Sequence, residues 1–153
     1  MKEIKWGFIG CGEVTEKKSG PAFNMIPGSS VVAVMSRTTE RAQSYALRHN
    51  IKKWYTDASE LINDPEVNAV YVATPHYTHY QYVKEALEAG KHVLCETPFV
   101  LRNEEAEELL TLAQTNNLVL MIAHKTAYCP AFRHLVVMLK SGAIGDIVDI
   151  NAS

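Results

Sequence analysis

A short apolar run, Ile4-Lys5-Trp6-Gly7-Phe8-Ile9, leads into Gly10-Cys11-Gly12-Glu13-Val14-Thr15, and helix-like sequence follows. Two glycines one residue apart at a strand–helix junction are suited to holding a pyrophosphate. Gly10 allows the tight turn. Gly12, with no side chain, lets the backbone approach the anion, and the amides that open the next helix face it. The third glycine of this fingerprint is replaced by Thr15, a larger residue. A glycine turn after a strand can also be purely structural, so the rest of the chain has to decide.

The second β-rich run ends about 20 residues further on, where an acidic residue would grip the ribose 2′-hydroxyl of NAD. Here the chain reads Met35-Ser36-Arg37-Thr38. Ser36 can donate a hydrogen bond, and the Arg37 guanidinium is a fork of donors that matches a phosphate. A carboxylate would repel a 2′-phosphate, whereas this pair attracts one. The pattern therefore points to NADP(H) as cofactor, with NAD(H) as second choice. Arg41, one turn on, adds charge or stacks on the adenine. The competing reading has Arg37 capping a helix or pairing with Glu40. Thr74-Pro75 closes the fourth β-rich run, beside the point where the strand order reverses and ligands bind.

Strands and helices must position these groups. Apolar, β-rich runs occupy residues 4–9, 31–35, a short stretch near Trp54, 69–73, 92–95 and 118–122. Helical patterns lie over 14–26, 39–49, 58–62, 77–89, 103–116 and 128–140, with Asn103 as a capping candidate and Gly90 as a stop. This alternation predicts an α/β fold, a doubly wound parallel sheet of the Rossmann type with strand order 3-2-1-4-5-6. Residues 144–153 alternate apolar and polar side chains and read as a seventh strand with nothing after it to pair with.

The 153 residues make one domain the default. A net charge of −2 without a basic block leaves no electrostatic footprint for nucleic acid. No apolar run approaches the ~20 residues of a membrane span. Cys11, Cys95 and Cys129 are an odd set without paired spacing, as expected of reduced thiols in a cytoplasmic protein. His76, His79, Cys95, His124 and Cys129 form no compact four-ligand set, so no metal site is expected.

Five stretches together resemble the glucose–fructose oxidoreductase/inositol dehydrogenase (Gfo/Idh/MocA) family. They are residues 7–12, Val32-Ala33-Val34-Met35-Ser36-Arg37, Tyr71-Val72-Ala73-Thr74-Pro75 with His79, Ala89-Gly90-Lys91-His92-Val93-Leu94-Cys95-Glu96-Thr97-Pro98, and Lys140-Ser141-Gly142-Ala143-Ile144-Gly145. The resemblance implies an N-terminal dinucleotide-binding domain, here 1–143. Residues 144–153 would be the first strand of an absent C-terminal α+β domain that carries much of the substrate site. It implies a sugar- or polyol-like small-molecule substrate, available only to a chain extended by that domain, and leaves a homo-oligomer open. It also places Thr74, Pro75 and His79 near the cofactor, and Glu96 and Pro98 near the nicotinamide ribose. From the residues alone, His79 reads as a helix-surface histidine.

Where the family has Glu-Lys-Pro, this chain has Glu96-Thr97-Pro98. A lysine can relay a proton; a threonine hydroxyl offers only a hydrogen bond. Thr97 at that position puts ordinary dehydrogenation in doubt and favours, as the alternative, a non-catalytic dinucleotide-binding module. Lys125, after the sixth run, is the candidate substitute, with His124 or Tyr128 as a polar partner. Its plainer reading is a solvated loop charge or a contact to the missing domain.

Overall fold

The computed structural model describes residues 3–151. Six strands form one sheet: β1 (Ile4–Ile9), β2 (Ser29–Met35), β3 (Lys53–Tyr55), β4 (Ala69–Val72), β5 (His92–Cys95) and β6 (Leu120–Ile122). Their spatial order is β3-β2-β1-β4-β5-β6 and every neighbouring pair is parallel, as the sequence predicts. Parallel neighbours cannot be joined by a tight hairpin, so each connection crosses a face of the sheet. From central β1, one series of connections runs to β2 and β3 and the other to β4, β5 and β6. Their turns diverge beyond the carboxyl ends of β1 and β4, which opens a crevice there.

Alternate strand residues serve opposite faces. Ile9, Met35, Val70 and Val72 pack on one side with Leu61 of α3 (Ala58–Ile62), Leu87 of α4 (His79–Glu88) and Leu109 of α5 (Asn103–Thr115). Phe8, Val34 and Tyr71 pack on the other with Phe23 of α1 (Gly20–Phe23) and Tyr45 of α2 (Thr39–Arg48). Phe23 meets the Trp6 and Phe8 rings edge-on, each at 4.9 Å between centroids. Both faces are covered at the centre of the sheet, which accounts for the near-continuous apolar strands.

Local chemistry sets the helix ends. Asp57 Oδ1 accepts from the Ser59 and Glu60 amides at 2.7 and 3.3 Å and caps α3. Gly90, at φ 74°, follows the last residue of α4 and its C-cap. Arg102, not Asn103, occupies the N-cap of α5. Glu105 reaches back to the Leu101 amide at 3.3 Å and to the Arg102 guanidinium, so the acid rather than the asparagine secures that end.

The single helix expected over 14–26 is broken. Val14–Lys18 forms one π-helical turn, in which the Ser19 amide bonds the Val14 carbonyl five residues back at 3.0 Å. Pro21 has no N–H and cannot continue the preceding ladder. The chain folds so tightly here that a Cβ on Gly20 would lie 1.7 Å from the Thr15 carbonyl oxygen. That oxygen accepts instead from Tyr45 Oη at 2.8 Å.

The chain divides into two compact units, one running to Ala123 and one from His124 onward. The second holds a 3-10 turn, Lys125–Tyr128, then α6 (Pro130–Lys140), and a turn in which Gly142 and Gly145 take positive φ. The strand expected over 144–153 is not formed: residues 144–151 carry no ladder, and 152 and 153 lie outside the described residues. Alternating side chains do not suffice, because a strand is held by the hydrogen bonds of a neighbour.

Candidate functional site

Beyond the carboxyl ends of β1, β2 and β4 lies a cavity of about 180 Å³. It brings together Gly10, Cys11 and Gly12 from the first turn, Ser36 and Arg37 from the second, Arg41 from α2, and Thr74 and Pro75 from the turn after β4. Glu13 lines an adjoining recess with Gly12, Arg41 and Arg48, and Val14 opens the π-helical turn beside it.

The two glycines of the turn play different parts. Gly10 has φ 112°, and a Cβ there would meet the Ala73 carbonyl oxygen at 2.6 Å. Its lack of a side chain lets the end of β1 lie against the end of β4. A Cβ on Gly12 would meet nothing within 4 Å, so this backbone borders open space that a ligand can enter. Thr15 is fully buried, and its hydroxyl lies 3.1 Å from the Gly10 oxygen and 2.9 Å from the Gly12 oxygen. The residue that departs from the fingerprint therefore staples the turn from beneath. Cys11 points its thiol at the Met35 carbonyl, 3.5 Å away, and burial pushes that thiol up to about 12, so it forms a neutral wall.

Arg37 and Arg41 are exposed, and among the described residues neither side chain makes an ion pair or hydrogen bond; the Arg37–Glu40 pair does not form. Thr38, not Arg37, is the N-cap of α2. Arg48, by contrast, is committed to Glu16 at 2.8 Å. Ser36 is buried, and its amide donates to the Tyr55 carbonyl at 3.1 Å.

Glu96 follows β5 and turns inward. Tyr71 Oη donates to Glu96 Oε1 at 2.5 Å, and Ser19 Oγ lies 2.6 Å from Tyr71 Oη and 3.3 Å from the same carboxylate oxygen. Burial first, and then the adjacent carboxylate, hold the Tyr71 phenol well above its ordinary range, so it remains a donor. Thr97 and Pro98 are exposed after it, and their peptide bond is cis.

His79 is buried, not on the helix surface. Its Nε2 lies 2.8 Å from the Thr74 carbonyl, and its Nδ1 lies 2.9 Å and 3.1 Å from the Pro98 and Phe99 carbonyls. Both ring nitrogens are thus turned onto backbone carbonyls of the turns after β4 and β5. Lys125 belongs to the second unit, where it opens the turn Lys125–Tyr128.

Residues not expected at this site from the sequence include Ser19, Tyr45, Tyr71 and Thr78, and Met35, Ala73 and Tyr82 in the cavity wall. Thr78 Oγ1 bonds Thr74 Oγ1 and the Pro75 carbonyl, each at 2.8 Å. Two of them carried a signal. A tyrosine inside an apolar strand needs a partner for its hydroxyl, as does one on the buried face of a helix. Among the described residues no three His, Cys, Asp or Glu side chains gather to hold a metal ion, and no helix is long and apolar enough to cross a membrane.

Comparison with known proteins agrees with this geometry. The Gfo/Idh/MocA model, described as an oxidoreductase family with an NAD-binding Rossmann fold, matches residues 4–124. Oxidoreductase P35 of Formosa agariphila is 41% identical over 145 residues, which are 95% of this chain and 45% of that protein. The NADP(+)-dependent scyllo-inositol 2-dehydrogenase of Bacillus subtilis is 36% identical over 132 residues, 86% of this chain and 40% of that one. Among solved structures, the 3-ketoreductase KijD10 of Actinomadura kijaniata, in complex with NADP and TDP-benzene, superposes with a TM-score of 0.88. It is 33% identical and covers 95% of this chain, which spans 45% of it.

Proposed function

Since the chain belongs to the Gfo/Idh/MocA oxidoreductase family and carries its NAD(P)-binding Rossmann domain, we propose that it binds NADP(H) in preference to NAD(H). The observation that carries this reading is the pair of uncommitted guanidinium groups, Arg37 and Arg41, beside Ser36 at the end of β2, with no carboxylate at that tip. The donor set suits a 2′-phosphate, and the open backbone at Gly12 suits the pyrophosphate. A bound nicotinamide would supply hydride transfer; the protein supplies binding and orientation. Gly10, Cys11, Gly12, Glu13 and Val14 would border the pyrophosphate. Thr74, Pro75 and Pro98 would border the nicotinamide end, with Glu96 and His79 behind them.

The chain spans less than half the length of the relatives it matches. We read residues 1–143 as the cofactor domain and 144–153 as the start of a second domain, with a sugar- or polyol-like substrate taken only by the extended protein. The scyllo-inositol enzyme among its relatives supports that class. Thr97 favours a second reading, a dinucleotide-binding module without turnover, unless Lys125 replaces the family's lysine. Exposed Phe132, Leu135 and Val137 on α6 support self-association, and three unpaired cysteines support a cytoplasmic setting.

Paired titrations with NADPH and NADH at one salt concentration test the cofactor assignment. NADPH should bind more tightly. Arg37→Ala should weaken NADPH about tenfold to a hundredfold, the worth of a charge-assisted hydrogen bond, and move NADH little. Tighter NADH binding, or equal losses for both, would refute the NADP(H) reading.

A further inference from the structure

The family resemblance puts His79 near the cofactor, yet the ring contacts neither open space nor another side chain's charge in the hydrogen bonds it makes. It lies 1% exposed between two backbone segments that sequence does not join. One is the turn after β4, where Thr74 offers its carbonyl to Nε2 at 2.8 Å. The other is the turn after β5, where the Pro98 and Phe99 carbonyls face Nδ1 at 2.9 and 3.1 Å. Those turns carry Thr74-Pro75 and Glu96-Thr97-Pro98. β4 and β5 pair from Ala69 with His92 to Val72 with Cys95, and the Glu96 amide donates to the Val72 carbonyl at 3.0 Å. Beyond that bond the β4–β5 ladder stops among the described residues, and the imidazole ties the two turns further out.

We propose that His79 is a positioning residue that holds these two turns at a fixed separation, so that they present one surface to the nicotinamide half of a dinucleotide. The proposal rests on the reading of the cleft as a dinucleotide site. The chemistry favours histidine here. Its two nitrogens sit on opposite sides of one rigid ring, so a single side chain spans carbonyls on both turns; donating to both turns at once takes a hydrogen on each nitrogen, the imidazolium form. Leucine fills similar space with no donor. Asparagine places an amide near Nδ1, and glutamine places one near Nε2, so each keeps one tie and loses the other. Thr78, bonded to Thr74 Oγ1 and the Pro75 carbonyl, braces only the first turn.

The test uses the chain as it stands, with NADPH and adenosine 2′,5′-bisphosphate as probes. The second probe carries the adenine and the 2′-phosphate but no nicotinamide. His79→Leu should weaken NADPH about fivefold or more, the scale of a lost buried hydrogen bond, and change the bisphosphate less than about twofold. His79→Asn and His79→Gln should each fall between wild type and leucine for NADPH, with the bisphosphate again unmoved. Should the leucine variant fail to fold, the two amide variants decide alone. Wild-type NADPH affinity in either of them would show that one tie suffices and overturn the proposal. Equal losses for both probes would reduce His79 to a fold-stabilising residue and overturn it as well. A wild type that binds neither NADPH nor NADH would instead remove the dinucleotide reading, and this proposal with it.

Discussion

Single side chains at this site are held by carbonyls and carboxylates more than by one another. Thr15 staples the glycine turn, Tyr45 takes the carbonyl that Thr15 withholds from its helix, and Tyr71 pins Glu96. Asp64 shows the same economy at a distance from the cleft. Its carboxylate accepts from Lys53 at 2.8 and 2.9 Å, from Tyr55 at 2.8 Å and from the Glu66 amide at 2.9 Å. Burial alone would raise its proton affinity, but Lys53, the Glu66 amide and Tyr55 together hold it below the usual carboxylate range. A carboxyl that binds its proton less tightly when folded adds stability above its unfolded value, near 3.8, and loses it as pH falls through the folded one. The urea midpoint should therefore drop between pH 6 and pH 3, and Lys53→Met should narrow that gap. An unchanged gap in the variant would place the acid sensitivity elsewhere.

Elements were legible where pattern and packing agree. The six strands and their order followed from apolar runs alternating with helical ones, because Ile9, Val34 and Val72 are apolar for the same reason they are buried. The segment after the glycine turn was not legible as drawn. Gly20-Pro21 could have flagged it, since proline ends a ladder and glycine marks close approach. The polar ties of Ser19 and His79 join residues far apart in sequence, and spacing along the chain does not encode them. Gly20→Ala tests the broken helix directly. A methyl group cannot coexist with the Thr15 carbonyl at 1.7 Å, so the π-helical turn must shift. The variant should lose roughly 2 kcal/mol or more by denaturant unfolding, at the upper end for a strained core substitution. A loss within the scatter of a surface change would mean that the chain relaxes there at little cost.

At the scale of the molecule, the candidate cleft lies within the first unit, while Lys125 lies in the second. If Lys125 supplies the proton chemistry that Thr97 cannot, then in a chain extended by the second domain Lys125→Met should cut kcat at least a hundredfold and spare NADPH binding. Unchanged turnover would end that assignment. The strand order carries a consequence for how the protein is made. Of the six strands, β1 is made first and stands inside the finished sheet, between β2 and β4. β2 and β3 then add outward on one side, and β4, β5 and β6 on the other, so no strand must be threaded between two already joined. The three turns that wall the cleft ride on β1, β2 and β4. A nascent chain can thus shape the walls of the candidate pocket before β5 and β6 have been translated, and His79 gains its second pair of carbonyls when Pro98 and Phe99 arrive.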